Sequence, residues 1–137
     1  MTDTAGSSTS TRGRVVDGYF DDDGLIGGEC TSCSRRHFPV SASCPWCGAD
    51  AVVEARLSTE GTVWAQTVVN NPPPGYVGPV PYGFGVVELP ADGLQVISLI
   101  QGAEDAGPGS IAVGDPVRFI PIDVGEGIVS WGFEVIA

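Results

Sequence analysis

GECTSCSRRHFPVSASCPWCG, residues 28–48, contains every cysteine of the chain: Cys30 and Cys33 in one C-x-x-C, Cys44 and Cys47 in another, ten residues apart. Two such pairs can bring four thiolates to one point, the arrangement a tetrahedral metal needs. The first reading is a structural zinc site in which all four positions are protein sulfur. Pro45 and Gly48 around the second pair support it, because a tight turn after a knuckle cysteine favours glycine and lets backbone N–H groups approach sulfur. Iron in the same cage is a second reading, and the residue pattern does not separate the two metals. A thioredoxin-like dithiol is a third; it calls for a C-x-x-C opening a helix in a βαβ setting, and no such pattern surrounds Cys44. A stretch of about 25 residues buries too little apolar surface to fold alone, whereas zinc supplies roughly 10–16 kcal/mol in small peptides. The metal's task is therefore mechanical.

The chain of 137 residues suits one compact domain with an appended module. Seventeen acidic residues face six basic ones, all arginine, for a net charge of −11. Phosphate backbones would meet repulsion over most of such a surface, so nucleic acid is not an expected partner. Val96–Ile100 is too short an apolar run to cross a bilayer, and Met1-Thr2-Asp3-Thr4 does not open like a signal peptide. The expected location is the cytoplasm, where thiols stay reduced, and no membrane partner is expected.

Residues 1–14, rich in Ser, Thr and Gly, read as a disordered tail. Residues 15–27 carry Tyr19, Phe20, Leu25 and Ile26 around the acidic run Asp21–Asp23 and read as a short arm or helix; the run itself reads as a solvated charge cluster. The metal module occupies 28–50. Residues 51–137 read as strands: 51–57, 61–69, 83–89, 94–101, 116–122 and 127–136. Asp92-Gly93 marks a hairpin turn, and Val129, Trp131, Phe133 and Val135 alternate with Ser130, Gly132 and Glu134 as a strand with one buried face does. Trp64 and Trp131 read as core. The fold class is mainly β, an N-terminal four-cysteine zinc ribbon followed by a five-stranded OB-fold barrel, with a β-sandwich as the alternative.

This order of features resembles the family of rubredoxin-like zinc-ribbon plus OB-fold proteins associated with acyl-CoA enzymes. The matching residues are Cys30/Cys33, Cys44-Pro45-x-Cys47-Gly48, Gly61-Thr62-Val63, the prolines at 72–74, Pro81-Tyr82 and the run Ile111–Val117, and the likeness spans residues 19–136. The first knuckle departs from the pattern, with Ser34 where the family often has glycine. The resemblance implies an accessory subunit, not catalytic alone, of a thiolase-fold thiolase or aldolase, or of a MaoC-type enoyl-CoA hydratase. It further implies a hetero-oligomer that helps to bind or transfer acyl-CoA, in steroid, lipid or aromatic-compound degradation. From another class, an OB-fold single-stranded nucleic-acid binder is the competing reading, with the net charge against it.

Two sets of residues are candidates for handling CoA. Arg35 and Arg36, beside His37, form the densest basic cluster and would pair with CoA phosphates or a partner's carboxylates, unless they are simply solvated loop arginines. The loop 70–82, with five prolines in thirteen residues, is stiff; its Tyr76 and Tyr82 would line an acyl or pantetheine channel or a docking strip. His37 has no nucleophile to serve and reads as surface or packing. With the four cysteines committed to metal, no Ser-His-Asp or paired-carboxylate pattern supports chemistry of the chain's own.

Overall fold

The computed structural model describes residues 13–14, 18–74, 76, 78–103, 106–125 and 127–136. The expected tail at 1–12 lies outside them. Ten strands follow in chain order: β1 (Gly13–Arg14), β2 (Phe20–Asp21), β3 (Gly24–Cys30), β4 (Arg36–His37), β5 (Val52–Arg56), β6 (Glu60–Val69), β7 (Tyr82–Leu89), β8 (Leu94–Gln101), β9 (Pro116–Gly125) and β10 (Ile128–Val135), with one 3-10 turn at Pro108–Ser110. Among the described residues no helix is long and apolar enough to cross a membrane.

Five strands close on themselves in the order β6-β7-β8-β10-β9, and β9 returns to β6 through Glu60↔Arg118 and Thr62↔Pro116. All the pairs are antiparallel except β8 with β10, which run parallel through Gly132↔Leu99 and Glu134↔Gln101. Closure removes the sheet edges that a sandwich would leave open, which settles the barrel over the sandwich. The β7–β8 hairpin turns where Asp-Gly predicts it, with Gly93 at a φ of 70°. Residues 13–14, assigned to the tail from sequence, add a short parallel pairing to β10 at Ile128 and Val129.

The other sheet is built around β3. It pairs with β2 through Phe20↔Leu25, with β4 through Gly28↔His37, and with β5 from Ile26↔Arg56 to Cys30↔Val52. The arm-or-helix expected over 15–27 is thus a hairpin from Phe20 onward, while 15–17 lie outside the described residues. The strand expected at 51–57 as the barrel's first pairs instead with β3. Its alternating Val-Val-Glu-Ala-Arg pattern suits either sheet, and only the partner strand distinguishes them.

One apolar core unites the two sheets. Val63, Val87, Leu89, Val96, Ile100, Val117, Phe119, Val129 and Phe133 fill the barrel, and Phe20, Leu25 and Leu57 from the ribbon side pack into the same cluster. Phe133 and Val129 point inward as the alternation predicts. The opposite face of β10 is covered too: Ser130 is buried, and Gly132 has no room for a Cβ because the Ile122 side chain lies against it. Trp131 is only partly buried. It packs edge-on against Phe38 (5.5 Å between ring centres) and Phe20 (6.0 Å), tying the ribbon to the barrel, and its Nε1 donates to the Ile97 carbonyl at 2.8 Å. Trp64, read as core, is 52% exposed. A bulge between Val63 and Ala65 breaks the simple alternation, and Trp64 falls on the outer side while Val63 stays inside.

Candidate metal centre and surface cleft

The two C-x-x-C motifs fold into matching knuckles. In the first, the Ser34 amide donates to the Cys30 carbonyl (2.8 Å) and the Cys30 amide to the Arg35 carbonyl (2.9 Å). In the second, the Gly48 amide donates to Cys44 and the Cys44 amide to Ala49, both at 2.9 Å. The residue after each second cysteine takes a positive φ, 68° at Ser34 and 80° at Gly48, turning the chain back so that amides face sulfur. Ser32 and Cys33 amides reach Cys30 Sγ at 3.3 and 3.4 Å, and the Trp46 amide reaches Cys44 Sγ at 3.3 Å.

The four Sγ atoms all lie within 4.8 Å of one another, with Cys30–Cys47 at 3.6 Å and Cys33–Cys44 at 3.7 Å. A tetrahedron with Zn–S bonds of about 2.3 Å has edges of about 3.8 Å, so the cage fits zinc as it stands. The thiols also show why a cation is needed. The Cys33 amide, foremost among the local donors, holds the Cys30 thiol below its ordinary value. Burial pushes the Cys44 thiol up, but the Cys47 and Trp46 amides and the neighbouring sulfurs outweigh it and bring it down to about 7. The Ala49 amide draws the Cys47 thiol down, yet the Cys30 sulfur, burial and the other two sulfurs drive it up to about 11. Four anions in this space require a positive ion at their centre. With every sulfur used as a ligand, the site is closed and structural.

His37 is buried, and its Nε2 accepts from the Ser41 amide at 3.3 Å, so it packs the loop between the knuckles. Arg35 stacks over the exposed Trp46 ring at 4.2 Å. Arg36 is held more tightly: it donates to Glu29 (2.9 Å), to the Arg56 carbonyl (3.3 Å) and to Asp92 (2.6 Å), whose side chain is only 3% exposed. Asp92 also accepts from the Ser58 amide at 2.7 Å. These contacts join the ribbon to the β7–β8 turn and leave Arg36 little to offer a ligand. Arg56 similarly grips Asp21 through two bonds of 2.7 Å.

The rings of Tyr76 and Tyr82 lie 4.7 Å apart, tilted by 36°. Tyr76 Oη donates to the Pro79 carbonyl at 2.7 Å, and burial raises its phenol above the ordinary value. The two rings line a cleft of about 230 Å³ with Pro79, Pro81, Leu99, Gln101, Ile122 and Asp123. The cleft does not include the arginines. Tyr82 begins β7 beside Gly83, which pairs with Ile100 near the end of β8, whereas Asp92, Arg36's partner, lies in the turn at the other end of the hairpin. Seven residues of strand separate those ends, about 23 Å. The two candidate sets thus lie in two separate places.

Sequence reasoning missed Asp92 as the acceptor that fixes Arg36 and missed Ile122 and Asp123 as part of the cleft. Nothing local in the sequence marks Asp92 beyond its turn; its role depends on the ribbon folding back onto the barrel.

A pair of rubredoxin-like knuckles on a small sheet, docked against a closed five-stranded barrel, defines a zinc-ribbon and OB-fold protein. Residues 21–53 match the family described as "ChsH2, rubredoxin-like zinc ribbon domain", and residues 54–120 match "ChsH2, C-terminal OB-fold domain". The chain is 32% identical over 115 residues to a DUF35 domain-containing scaffold protein of Methanothermobacter thermautotrophicus, covering 80% of this chain and 84% of that one. A Pyrococcus furiosus protein of the same description is 31% identical, with 80% of each chain covered. The chain belongs to the DUF35 family, and it carries that family's structural zinc ribbon. Its fold is similar to the solved structure titled "Ltp2-ChsH2(DUF35) aldolase", with a TM-score of 0.66 at 23% identity over 82% of this chain and 85% of that one.

Proposed function

We propose that the chain is a non-catalytic accessory subunit that binds a thiolase-fold aldolase or thiolase in a hetero-oligomer and helps to hold acyl-CoA. The observation that carries this reading is the family: relatives covering four-fifths of the chain are described as scaffold proteins, and a protein with the same fold occurs with an aldolase. The zinc ribbon then acts as a shaped, rigid module, and the chemistry belongs to the partner.

The Tyr76–Tyr82 cleft is the place on the barrel for the substrate. At about 230 Å³ it is below the range of roughly 300 Å³ and more typical of pockets that enclose a whole small molecule. A slender pantetheine or acyl arm suits it better than a nucleotide. Its rigid, proline-held rings would order such an arm at small entropic cost. Among the arginines whose side chains are described, Arg36, Arg56 and Arg118 are bonded to carboxylates, which leaves phosphate recognition there to Arg35, beside any cations of the partner. The acyl-CoA in this reading comes from steroid, lipid or aromatic-compound degradation in the cytoplasm.

Affinity purification from the native host, with partners identified by mass spectrometry and then produced recombinantly, tests the proposal. The expected result is a stable complex with a thiolase-fold enzyme whose turnover of acyl-CoA substrates rises when this chain is added. Recovery of the chain alone, or a partner indifferent to it in assay, would overturn the reading; a MaoC-type hydratase in its place would redirect it.

A further inference from the structure

The outward side of β6, β7 and β8 is apolar where a barrel facing water should alternate to polar. The strand register aligns Ala65, Val86 and Ile97 in one cross-strand row and Thr67, Phe84 and Leu99 in the next. Ile97 is 60% exposed, Trp64 beside Ala65 is 52% exposed, and Phe84 is 37% exposed. Val113, 68% exposed, stands close by, because the Gly114 amide of its loop donates to the Val63 carbonyl at 2.8 Å. The bulge that places Trp64 here is built in: the Ala65 carbonyl presses against Gly85, a position with no room for a Cβ. Leu99 lines both this face and the Tyr76–Tyr82 cleft, so the two are continuous.

Contiguous apolar surface of this kind marks an interaction site, and large aromatic and aliphatic side chains at its centre have the character of binding hot spots. Charge decides the occupant. The described acidic residues of the barrel are Glu60, Glu88, Asp92, Asp115, Asp123 and Glu134, against one arginine, Arg118, which is paired to Glu134. Glu88 continues the outward column of Phe84 and Val86 at the rim of the patch. A second copy of the chain would bring Glu88 against like charge with a net charge of −11 on each molecule, and anionic lipid or nucleic acid would meet the same repulsion. A partner with an apolar centre and a basic rim is complementary.

We propose that the outer face of β6–β8, centred on Trp64, Phe84 and Ile97, is the surface on which the catalytic partner docks through an apolar patch ringed by lysine or arginine. This rests on the accessory-subunit reading and adds the interface to it. Docking here closes one side of the tyrosine cleft with the partner's own wall, so that an arm lying in the cleft runs along the junction of the two proteins.

The test uses the recombinant thiolase-fold partner and the full chain. Ile97→Glu and Trp64→Glu are each expected to weaken the complex by roughly 30-fold or more, the loss typical of a central hot spot. Val53→Glu, at an exposed valine of the ribbon sheet, should leave affinity within about twofold. Zinc content and amide-exchange protection of the variants establish that they are folded, as the exposure of both face positions leads us to expect. Affinity should fall as salt rises, because the rim is electrostatic. A folded Ile97→Glu chain that binds the partner like the wild type overturns the docking face and leaves the accessory role standing. Failure to find any thiolase-fold partner overturns the accessory role, and the docking face with it. A concentration-dependent homodimer abolished by Ile97→Glu overturns the choice of occupant, and so does affinity that salt leaves unchanged.

Discussion

The ribbon and the barrel are both β-structure, yet they are held together by different means. Each barrel strand bonds to neighbours on both sides, and the interior is filled by side chains such as Val63, Leu89, Val117 and Phe133, all nearly or fully inaccessible. In the ribbon, β2 and β4 are two residues long. Between Cys30 and Cys44 the buried side chains are those two cysteines and His37. The ribbon's larger apolar residues, Phe20, Leu25 and Leu57, serve the shared core and leave the knuckles themselves to sulfur. A closed sheet can be stabilised by burial alone, whereas a loop-rich module of this size needs a cross-link.

Removing the metal should therefore separate the two regions most sharply. Cys44→Ser, or a strong chelator on the wild type, is expected to abolish the one zinc per chain and forfeit most of a binding free energy on the order of 10 kcal/mol. Amide-exchange protection should collapse between Cys30 and Val52 and persist across β6–β10. Uniform loss of protection would show instead that the two regions form one cooperative unit.

The converse substitution strikes the barrel. Phe133→Ala removes a fully buried ring that packs edge-on against Phe119 at 6.0 Å. The expected cost is about 3–5 kcal/mol in urea-induced unfolding, with zinc stoichiometry unchanged in the folded fraction. Loss of zinc from the folded protein would mean that the knuckles depend on the barrel core more than their own hydrogen bonds suggest.

The contrast also explains what the sequence made legible. The metal ligands were plain because four cysteines at knuckle spacing have few other uses, and the barrel strands were plain because period-2 patterns and an Asp-Gly turn are local signals. The side to which β5 belongs was not, since Val52–Arg56 suits either sheet and pairing is non-local. Tyr76 and Tyr82 could be grouped because one short loop carries both. Arg35 and Arg36 stand out on charge alone, and charge says nothing of the Asp92 carboxylate that reaches Arg36 from 56 residues away. Trp64 was misplaced because a bulge interrupts the alternation on which its reading depended.

The joint between the regions should show an intermediate effect. Arg36→Ala leaves the nearly buried Asp92 carboxylate with the Ser58 amide but without its cation, and Glu29 loses its partner as well. A loss of about 1.5–3 kcal/mol is expected, the range for a hydrogen bond to a charged group. Exchange protection should fall first in β4 and at the 90–93 turn. Unchanged protection there would mean that the aromatic contacts of Trp131 with Phe38 and Phe20 hold the joint without the ion pairs.

The smallest effect lies within the ribbon, where the two knuckles act as controls for each other. They share the same backbone hydrogen bonds and nearly the same φ, but one closes with Ser34 and the other with Gly48. A side chain in the left-handed region costs roughly 1–2 kcal/mol, partly offset because glycine loses about 0.5–1 kcal/mol more backbone freedom on folding. Ser34→Gly should therefore stabilise the zinc-bound ribbon by about 0.5 kcal/mol, read as tighter zinc binding in competition with a chromogenic chelator. Gly48→Ser should weaken it by a similar amount. Because Ser34 is exposed and no Cβ at Gly48 would meet another atom within 4 Å, the two changes differ in backbone preference and little else. Opposite signs would show that the knuckles are equivalent turns and that Ser34 is a tolerated strain. A weaker site in Ser34→Gly would instead show that the serine side chain supports the first knuckle in a way the turn geometry does not require.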